Sequence, residues 1–207
     1  MRGRTVEVEP LEPAKHTASL WDAVKGPEND DLWQYLFDGP YADAAAFEHS
    51  IARKSATADP LFFAIVDRAR NRAVGYASFM RIEPAHKVVE VGGILYTPLL
   101  QRTTGATEAM YLMARYVFEE LGYRRYEWKC NALNAPSRAA AQRLGFLYEG
   151  TFRQAEVHKG RSRDSAWFSI IDKEWPALRD AFTKWLSPEN FDAQGRQKTA
   201  LSQLTRR

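Results

Sequence analysis

The amino-acid sequence predicts an α/β fold, in which alternating strands and amphipathic helices succeed one another along 207 residues. Two alternating runs, Leu61–Val66 and Val74–Ile82, flank a short charged connection containing Asn71, which is the pattern of a β-hairpin. Helical spacing follows in Thr107–Leu121, where apolar residues recur on one face: Ala109, Leu112, Met113, Tyr116 and Val117. With 45% hydrophobic residues, the chain can fill the core of one domain.

One domain is predicted over residues 1–186, followed by a polar tail over residues 187–207. No internal repeat or long linker points to a second domain. After Pro188 the sequence shows no hydrophobic periodicity, so its composition predicts a disordered tail. A tail that packs against the domain is the alternative.

The charge and the cysteine content indicate which partners the protein binds and in which cellular compartment it lies. The net charge is +3 and no basic stripe alternates with aromatic residues, so no nucleic-acid partner is expected. The single cysteine, Cys130, excludes an internal disulfide and fits a reducing cytoplasm. The N-terminus has no apolar core typical of a signal peptide, and no apolar run approaches the roughly 20 residues of a membrane span. A cytoplasmic protein without a membrane partner is expected.

The N-terminal elements follow from the same periodicities. Arg4–Val8 alternates and predicts a first strand, and His16–Lys25 predicts a short amphipathic helix. Ala42–Ser55 predicts a second helix, in which Phe47 and Ile51 face inward four residues apart.

Between these two helices lies an aromatic segment, Asp31–Tyr41, broken by Gly39-Pro40. Such a segment either fills the core or lines a substrate pocket, where rigid rings and a few polar groups orient a ligand. Both interpretations stay open on the sequence alone.

The central strand is predicted over Val88–Tyr96. Its paired glycines, Gly92-Gly93, indicate a bulge or a close approach to the backbone. The loop Gln101–Ala106 follows and is small and polar just before the helix predicted to begin at Thr107. Backbone N–H groups in such a loop can hold a pyrophosphate at the positive end of a helix. An ordinary turn with threonine caps is the alternative.

The C-terminal half predicts a strand at Tyr126–Cys130 and a short helix that begins after Asn134 and ends at Gly145. Phe146–Phe152 and Ser165–Ile171 predict an antiparallel pair. The charged turn His158–Asp164 between them is interpreted as a solvated tip, or alternatively as a contact to cofactor phosphates or to an acidic partner. The last predicted helix covers Trp175–Leu186, with Leu178, Phe182 and Trp185 at helical spacing.

Two of these motifs together resemble the acetyl-CoA-binding core of the GNAT N-acetyltransferases. The family loop reads Gln/Arg-x-x-Gly-x-Gly/Ala, and here Gln101 and Ala106 match while Thr104 replaces the first glycine. Asn134 and the helix end Leu144-Gly145-Phe146 match the second motif. Over roughly residues 4–186 the chain is similar to the ribosomal-protein N-terminal acetyltransferases of the RimJ/RimL type.

This resemblance implies a mixed, mostly antiparallel, splayed sheet flanked by helices on both faces. It also implies acetyl-CoA as co-substrate and an amine as acceptor. The resemblance assigns three groups of residues to acetyl-CoA. They are the two residues whose amides follow the glycine pair, the residues of the polar loop, and one residue that contacts the pantetheine arm: Ile94 and Leu95; Gln101, Arg102, Thr103, Thr104, Gly105 and Ala106; and Asn134.

The resemblance further implies direct attack of the amine on the thioester. The general-acid tyrosine of many family members is Ala141 here, and Ser137 is the general acid by analogy with the RimJ/RimL branch. A capping hydroxyl is the alternative role of Ser137. Glu156 is the first candidate base and Glu90 the second, although either could be a structural ion-pair partner and water could relay the proton.

No metal is expected, because the sequence offers no paired histidine spacing: His16, His49, His86 and His158 stand alone. No nucleophile motif is present either. The acceptor-side candidates are Trp33, Tyr35 and Asp38.

The preferred acceptor is a protein or peptide N-terminal amine. A small amine or antibiotic is the enzymatic alternative, and a non-catalytic CoA-binding or sensing module is the alternative of another class. A homodimer is compatible with the resemblance.

Overall fold

A computed structural model of the chain describes residues 1–206. These residues form two compact units. The first comprises Met1–Glu83 and Val89–Met113, and the second comprises Pro84–Val88 and the chain from Ala114 onward. Each unit contains β-strands and helices, so the predicted α/β class is confirmed.

In the first unit four strands are ordered β1-β2-β3-β4, and the β1–β2 and β2–β3 pairs are antiparallel. The strands are β1 (Val6–Pro10), β2 (Leu61–Asp67), β3 (Arg72–Glu83) and β4 (Val88–Tyr96). The helices are α1 (Pro13–Val24), α2 (Ala44–Ser55) and α3 (Thr104–Arg115), with a 3-10 helix at Pro27–Trp33.

The core of the first unit lies between α1, α2 and the sheet. Phe47 and Ile51 are fully buried, as their spacing predicts. Helix α2 begins two residues later than expected, because the Asp43 carboxylate accepts a hydrogen bond from the Ala46 amide at 2.8 Å and caps the helix there.

Strand β4 matches its predicted bounds and contains the expected irregularity. Gly93 has φ +56°, in the left-handed region that favours glycine. A Cβ at Gly93 would lie 3.1 Å from Ser78 Oγ, and one at Gly92 would collide with the Met80 sulfur. The left-handed backbone and the close packing against β3 account for Gly93, whereas at Gly92 the neighbour is the flexible Met80 side chain.

In the second unit three strands are ordered β5-β7-β6, and both pairs are antiparallel. The strands are β5 (Arg125–Asn131), β6 (Leu147–His158) and β7 (Arg161–Ile171). The helices are α4 (Ala135–Arg143), α5 (Trp175–Leu186) and α6 (Leu201–Leu204), and a π-helical turn covers Tyr116–Glu120.

The β6–β7 hairpin is longer than predicted. Its turn contains only Lys159 and Gly160, with φ values of 48° and 74°, and both strands continue past the bounds expected from the sequence. His158 and Arg163 are buried. The interpretation of residues 158–164 as a solvated tip is therefore wrong for these two side chains.

The polar tail is ordered against the second unit, so the prediction of disorder is wrong. Leu201 is buried, and Thr205 Oγ1 donates to the Arg143 carbonyl at the end of α4 at 3.0 Å. Trp185 Nε1 donates to Gln197 Oε1 at 2.8 Å. A few anchoring contacts in a polar segment produce this packing, which average composition does not reveal.

Within residues 1–206, no helix combines the length and the apolar character needed to cross a membrane.

Candidate active site

The start of α3 is set by the side chain of Thr103. Its Oγ1 donates to the Leu100 carbonyl at 2.7 Å and accepts from the Ala106 amide at 3.2 Å. The helix therefore begins at Thr104, three residues earlier than predicted. Thr104, Gly105 and Ala106 form its first turn instead of a preceding loop.

Two of the four amides predicted to hold a pyrophosphate already have acceptors. The Thr103 amide donates to the Leu100 carbonyl at 3.2 Å, and the Ala106 amide donates to Thr103 Oγ1. The amides of Thr104 and Gly105 lie in the first helical turn, where no carbonyl of the same helix can accept from them. These two amides and the positive helix end make this turn suited to an anion.

Gly105 also has a packing role. A Cβ at this position would lie 2.8 Å from Val6 Cγ1, so glycine lets α3 approach β1 closely. Next to the turn, Gln101 Nε2 donates to the Tyr96 carbonyl at 2.9 Å. Arg102 is exposed and its backbone has φ +59°.

Glu108 is a site-supporting residue that sequence reasoning missed. Its carboxylate accepts from the amides of Arg4, Thr5 and Val6 at 2.7, 2.6 and 3.1 Å, and from Thr5 Oγ1 at 2.5 Å. Burial alone would raise the pKa of Glu108, but these hydrogen bonds outweigh burial and the pKa lies below its ordinary value. The sequence did contain a signal for this role, because Glu108 is an acidic residue directly before Ala109, where the apolar face of the helix begins.

On β4, Glu90 is buried and its Oε2 lies 2.6 Å from Arg81 NH1. This geometry matches the structural ion pair considered from the sequence. Ile94 and Leu95 directly follow Gly93, and the Leu95 side chain belongs to the core of the first unit.

The three acceptor-side candidates have different environments. Trp33 is buried in the core and packs edge-on against Tyr41, with ring centroids 5.1 Å apart. Its side chain thus matches the core-filling interpretation of the aromatic segment. Tyr35 and Asp38 are partly exposed.

Asp38 is the centre of a hydrogen-bond cluster. Its Oδ2 accepts from Tyr41 Oη at 2.6 Å and Ser50 Oγ at 3.1 Å, and it pairs with Lys54 Nζ. Burial would raise the pKa of Asp38, but the hydrogen bonds from Lys54, Tyr41 and Ser50 bring it below the ordinary value. Burial and the hydrogen bond to Asp38 raise the pKa of Tyr41. The aspartate therefore fixes the segment on α2.

In the second unit, Asn134 and Ser137 meet in the first turn of α4. Asn134 Oδ1 accepts from the Ser137 amide at 3.1 Å, so the expected cap is present. Ser137 Oγ accepts from Trp128 Nε1 at 3.0 Å. Burial raises the pKa of the Cys130 thiol, and such a thiol is a poor nucleophile.

Glu156 lies on β6, apart from the Asn134–Ser137 turn in sequence and element. Its Oε2 is 3.2 Å from Arg163 NH1, its cross-strand neighbour on β7. Over the described residues, no three His, Cys, Asp or Glu side chains are grouped to hold a metal ion.

The sequence matches a family model described as the acetyltransferase (GNAT) domain over residues 7–147. The crystal structure of a GCN5-related N-acetyltransferase from Brucella melitensis is 48% identical, with a TM-score of 0.96, and the match covers 99% of this chain and 92% of that one. The fold predicted from the resemblance is thereby confirmed.

Two curated proteins are also similar. An uncharacterized N-acetyltransferase of Bacillus subtilis, YnaD, is 25% identical over 158 residues, which cover 75% of this chain and 89% of YnaD. The ribosomal-protein-serine acetyltransferase of Escherichia coli is 34% identical over 102 residues, or 49% of this chain and 56% of that protein. The family match covers more than half of the chain and includes the capped turns of α3 and α4, so this protein belongs to the GNAT family and is an N-acetyltransferase.

Proposed function

We propose that the enzyme transfers the acetyl group of acetyl-CoA to the N-terminal amine of a protein or peptide. GNAT acetyltransferases use acetyl-CoA as co-substrate and act on an amine. The observation that carries the proposal is the first turn of α3, whose Thr104 and Gly105 amides suit a pyrophosphate. Similarity to a ribosomal-protein-serine acetyltransferase supports the choice of acceptor.

The residues assigned to acetyl-CoA fit this chemistry to different degrees. Thr104 in place of the usual glycine still supplies a backbone amide, because donation to a phosphate does not use the side chain. Thr103 and Ala106 act by fixing the turn, and the Arg102 guanidinium adds a nearby positive charge. The Ile94 and Leu95 amides after Gly93 and the Asn134 side chain are assigned to the thioester and the pantetheine arm.

The reaction forms a bond between the amine nitrogen and the acetyl carbon and breaks the carbon–sulfur bond. Each protonated amine consumed releases one proton to solvent and leaves CoA as the thiol. Ser137 donates its hydroxyl proton toward the leaving sulfur and regains a proton from solvent, and a carboxylate or water accepts the amine proton.

The two candidate bases, Glu156 and Glu90, differ in the solvent exposure of their side chains. The Glu156 side chain is 29% exposed, whereas that of Glu90 is 3% exposed and paired with Arg81. A base must pass its proton to solvent in each cycle, so we assign the role to Glu156 and a structural role to Glu90.

On the acceptor side we assign substrate contact to Tyr35 and support of the aromatic segment to Trp33 and Asp38. Trp33 holds the segment from within the core, and Asp38 holds it on α2. A small amine remains the second candidate acceptor, because the partly exposed Tyr35 ring suits either class.

The test is thiol release from acetyl-CoA with N-terminal peptides, polyamines, amino acids and amine antibiotics. The wild type, Ser137→Ala and Glu156→Gln are compared. Glu149→Gln is the matched control, because Glu149 is another β6 glutamate paired with an arginine, Arg125. Turnover confined to peptides, and reduced about 10²-fold or more in the first two variants only, supports the proposal. Turnover confined to polyamines or antibiotics contradicts the acceptor assignment.

A further inference from the structure

The indole of Trp128 and the hydroxyl of Ser137 form a hydrogen bond between β5 and the first turn of α4. Trp128 Nε1 lies 3.0 Å from Ser137 Oγ. The Trp128 side chain is buried, and its ring packs against Phe146 with centroids 5.6 Å apart and an interplanar angle of 63°. Phe146 is the last residue of the Leu144-Gly145-Phe146 motif, so this motif fixes the ring that contacts Ser137.

The chemistry of the two groups determines the direction of the bond. An indole N–H can only donate, whereas a hydroxyl carries one proton and two acceptor sites. Ser137 Oγ is therefore the acceptor, and its own proton cannot point toward Trp128.

Because the Trp128 N–H occupies one acceptor site of the Ser137 hydroxyl, the hydroxyl proton can be donated to a different acceptor. A hydrogen bond donated to the oxygen also favours the form that has given up its proton.

We propose that Trp128 is a positioning residue that directs the Ser137 proton toward the leaving sulfur of CoA. This inference rests on the proposed role of Ser137 as general acid. Trp128 itself touches neither substrate, and its effect passes through the Ser137 hydroxyl.

The first test is Trp128→Phe, which keeps an aromatic ring against Phe146 and removes the N–H. We expect kcat to fall about tenfold while KM for acetyl-CoA changes by less than about twofold. Trp185→Phe is the matched control, because Trp185 is also buried and donates its N–H to a neutral side chain, that of Gln197. The control should lower kcat by less than about twofold.

A double-mutant cycle distinguishes positioning from general support of the fold. In the Ser137→Ala background, Trp128→Phe should cause no further loss of kcat. The inference is overturned if Trp128→Phe lowers kcat tenfold both in the wild type and in Ser137→Ala. It is also overturned if Trp128→Phe keeps the wild-type kcat while Ser137→Ala has a reduced kcat. If Ser137→Ala itself keeps wild-type kcat with peptides, the general-acid role fails while acetyl transfer stands.

A measurement on the intact indole covers the case in which Trp128→Phe does not fold. In the 1H–15N spectrum, the Trp128 indole signal should shift in Ser137→Ala, and the Trp185 signal should stay in place. An unshifted Trp128 signal contradicts the hydrogen bond and overturns the inference.

Discussion

Glu108 and Thr5 are joined by two hydrogen bonds, from the Thr5 amide at 2.6 Å and from the Thr5 hydroxyl at 2.5 Å. Glu108 lies one turn into α3, and Thr5 directly precedes β1. The pair therefore fixes the helix whose first turn is assigned to the pyrophosphate, over a separation of 103 residues along the chain.

Replacing Glu108 by glutamine should destabilise the protein, since an amide has one acceptor oxygen where the carboxylate has two. We expect the free energy of unfolding to fall by about 1–3 kcal/mol near pH 7. Because the folded pKa of Glu108 is lowered, the carboxylate contributes stability above its ordinary pKa of 4.5 and loses it as the pH falls through the folded value. In urea unfolding, the difference in the free energy of unfolding between Glu108→Gln and the wild type should become smaller as the pH falls through the folded pKa of Glu108. Glu48→Gln, at an exposed position on α2, should change stability by less than about 0.5 kcal/mol, and a similar loss there would contradict the assignment.

Removing Asp38 should leave the amine of Lys54 without its carboxylate partner in a largely buried site. We expect Asp38→Ala to lower the free energy of unfolding by about 2–4 kcal/mol, measured by denaturant titration. Asp22→Ala removes an exposed partner of Lys25 and should cost less than about 1 kcal/mol. Equal losses in the two variants would show that Asp38 does not anchor the aromatic segment.

A methyl group at Gly105 should push α3 away from β1, because the added Cβ lies 2.8 Å from Val6 Cγ1. Gly105→Ala should cost about 1–3 kcal/mol of stability and raise the KM for acetyl-CoA. Shortening the opposing side chain in Gly105→Ala/Val6→Ala should restore much of the KM, although not all of the stability. If the KM for acetyl-CoA stays high in the double variant, the effect of Gly105→Ala arises in the first turn of α3 and not from the contact with Val6.

Leu201 should be a stabilising residue despite its position in a polar tail. It is 1% exposed, so Leu201→Ala should cost about 2–5 kcal/mol in thermal or denaturant unfolding. Leu133 is 80% exposed, and Leu133→Ala should have an effect below about 0.5 kcal/mol. If the tail detaches from the domain in solution, Leu201→Ala should change the free energy of unfolding as little as Leu133→Ala does.

Elements with strong local signals could be predicted to the residue. Strand β4 and helix α5 have the expected bounds because hydrophobic periodicity and the proline signals around them are local. The start of α3 could not be placed in this way, since Thr103, Thr104 and Thr107 are all suitable caps. The choice of Thr103 depends on its bond to the Leu100 carbonyl, which only the folded turn defines.

The parts of the site that depend on distant contacts were less accessible to sequence reasoning. Trp33 could fill the core or line a pocket, and packing against Tyr41 and Phe47 places it in the core. The Trp128–Ser137 bond crosses from strand to helix, and no spacing rule pairs these residue types. Roles in catalysis and binding stay predictions for the experiments above.

The bond from Thr205 to the Arg143 carbonyl also has a consequence for the timing of folding during synthesis. Helix α4 is made 62 residues before the side chain that closes its C-terminal end. At about 5–20 residues per second, a ribosome needs roughly 3–12 s to make the intervening chain. The helix carrying Ser137 is therefore completed late, and a nascent chain that lacks its tail presents α4 to cellular chaperones and proteases without this closing bond.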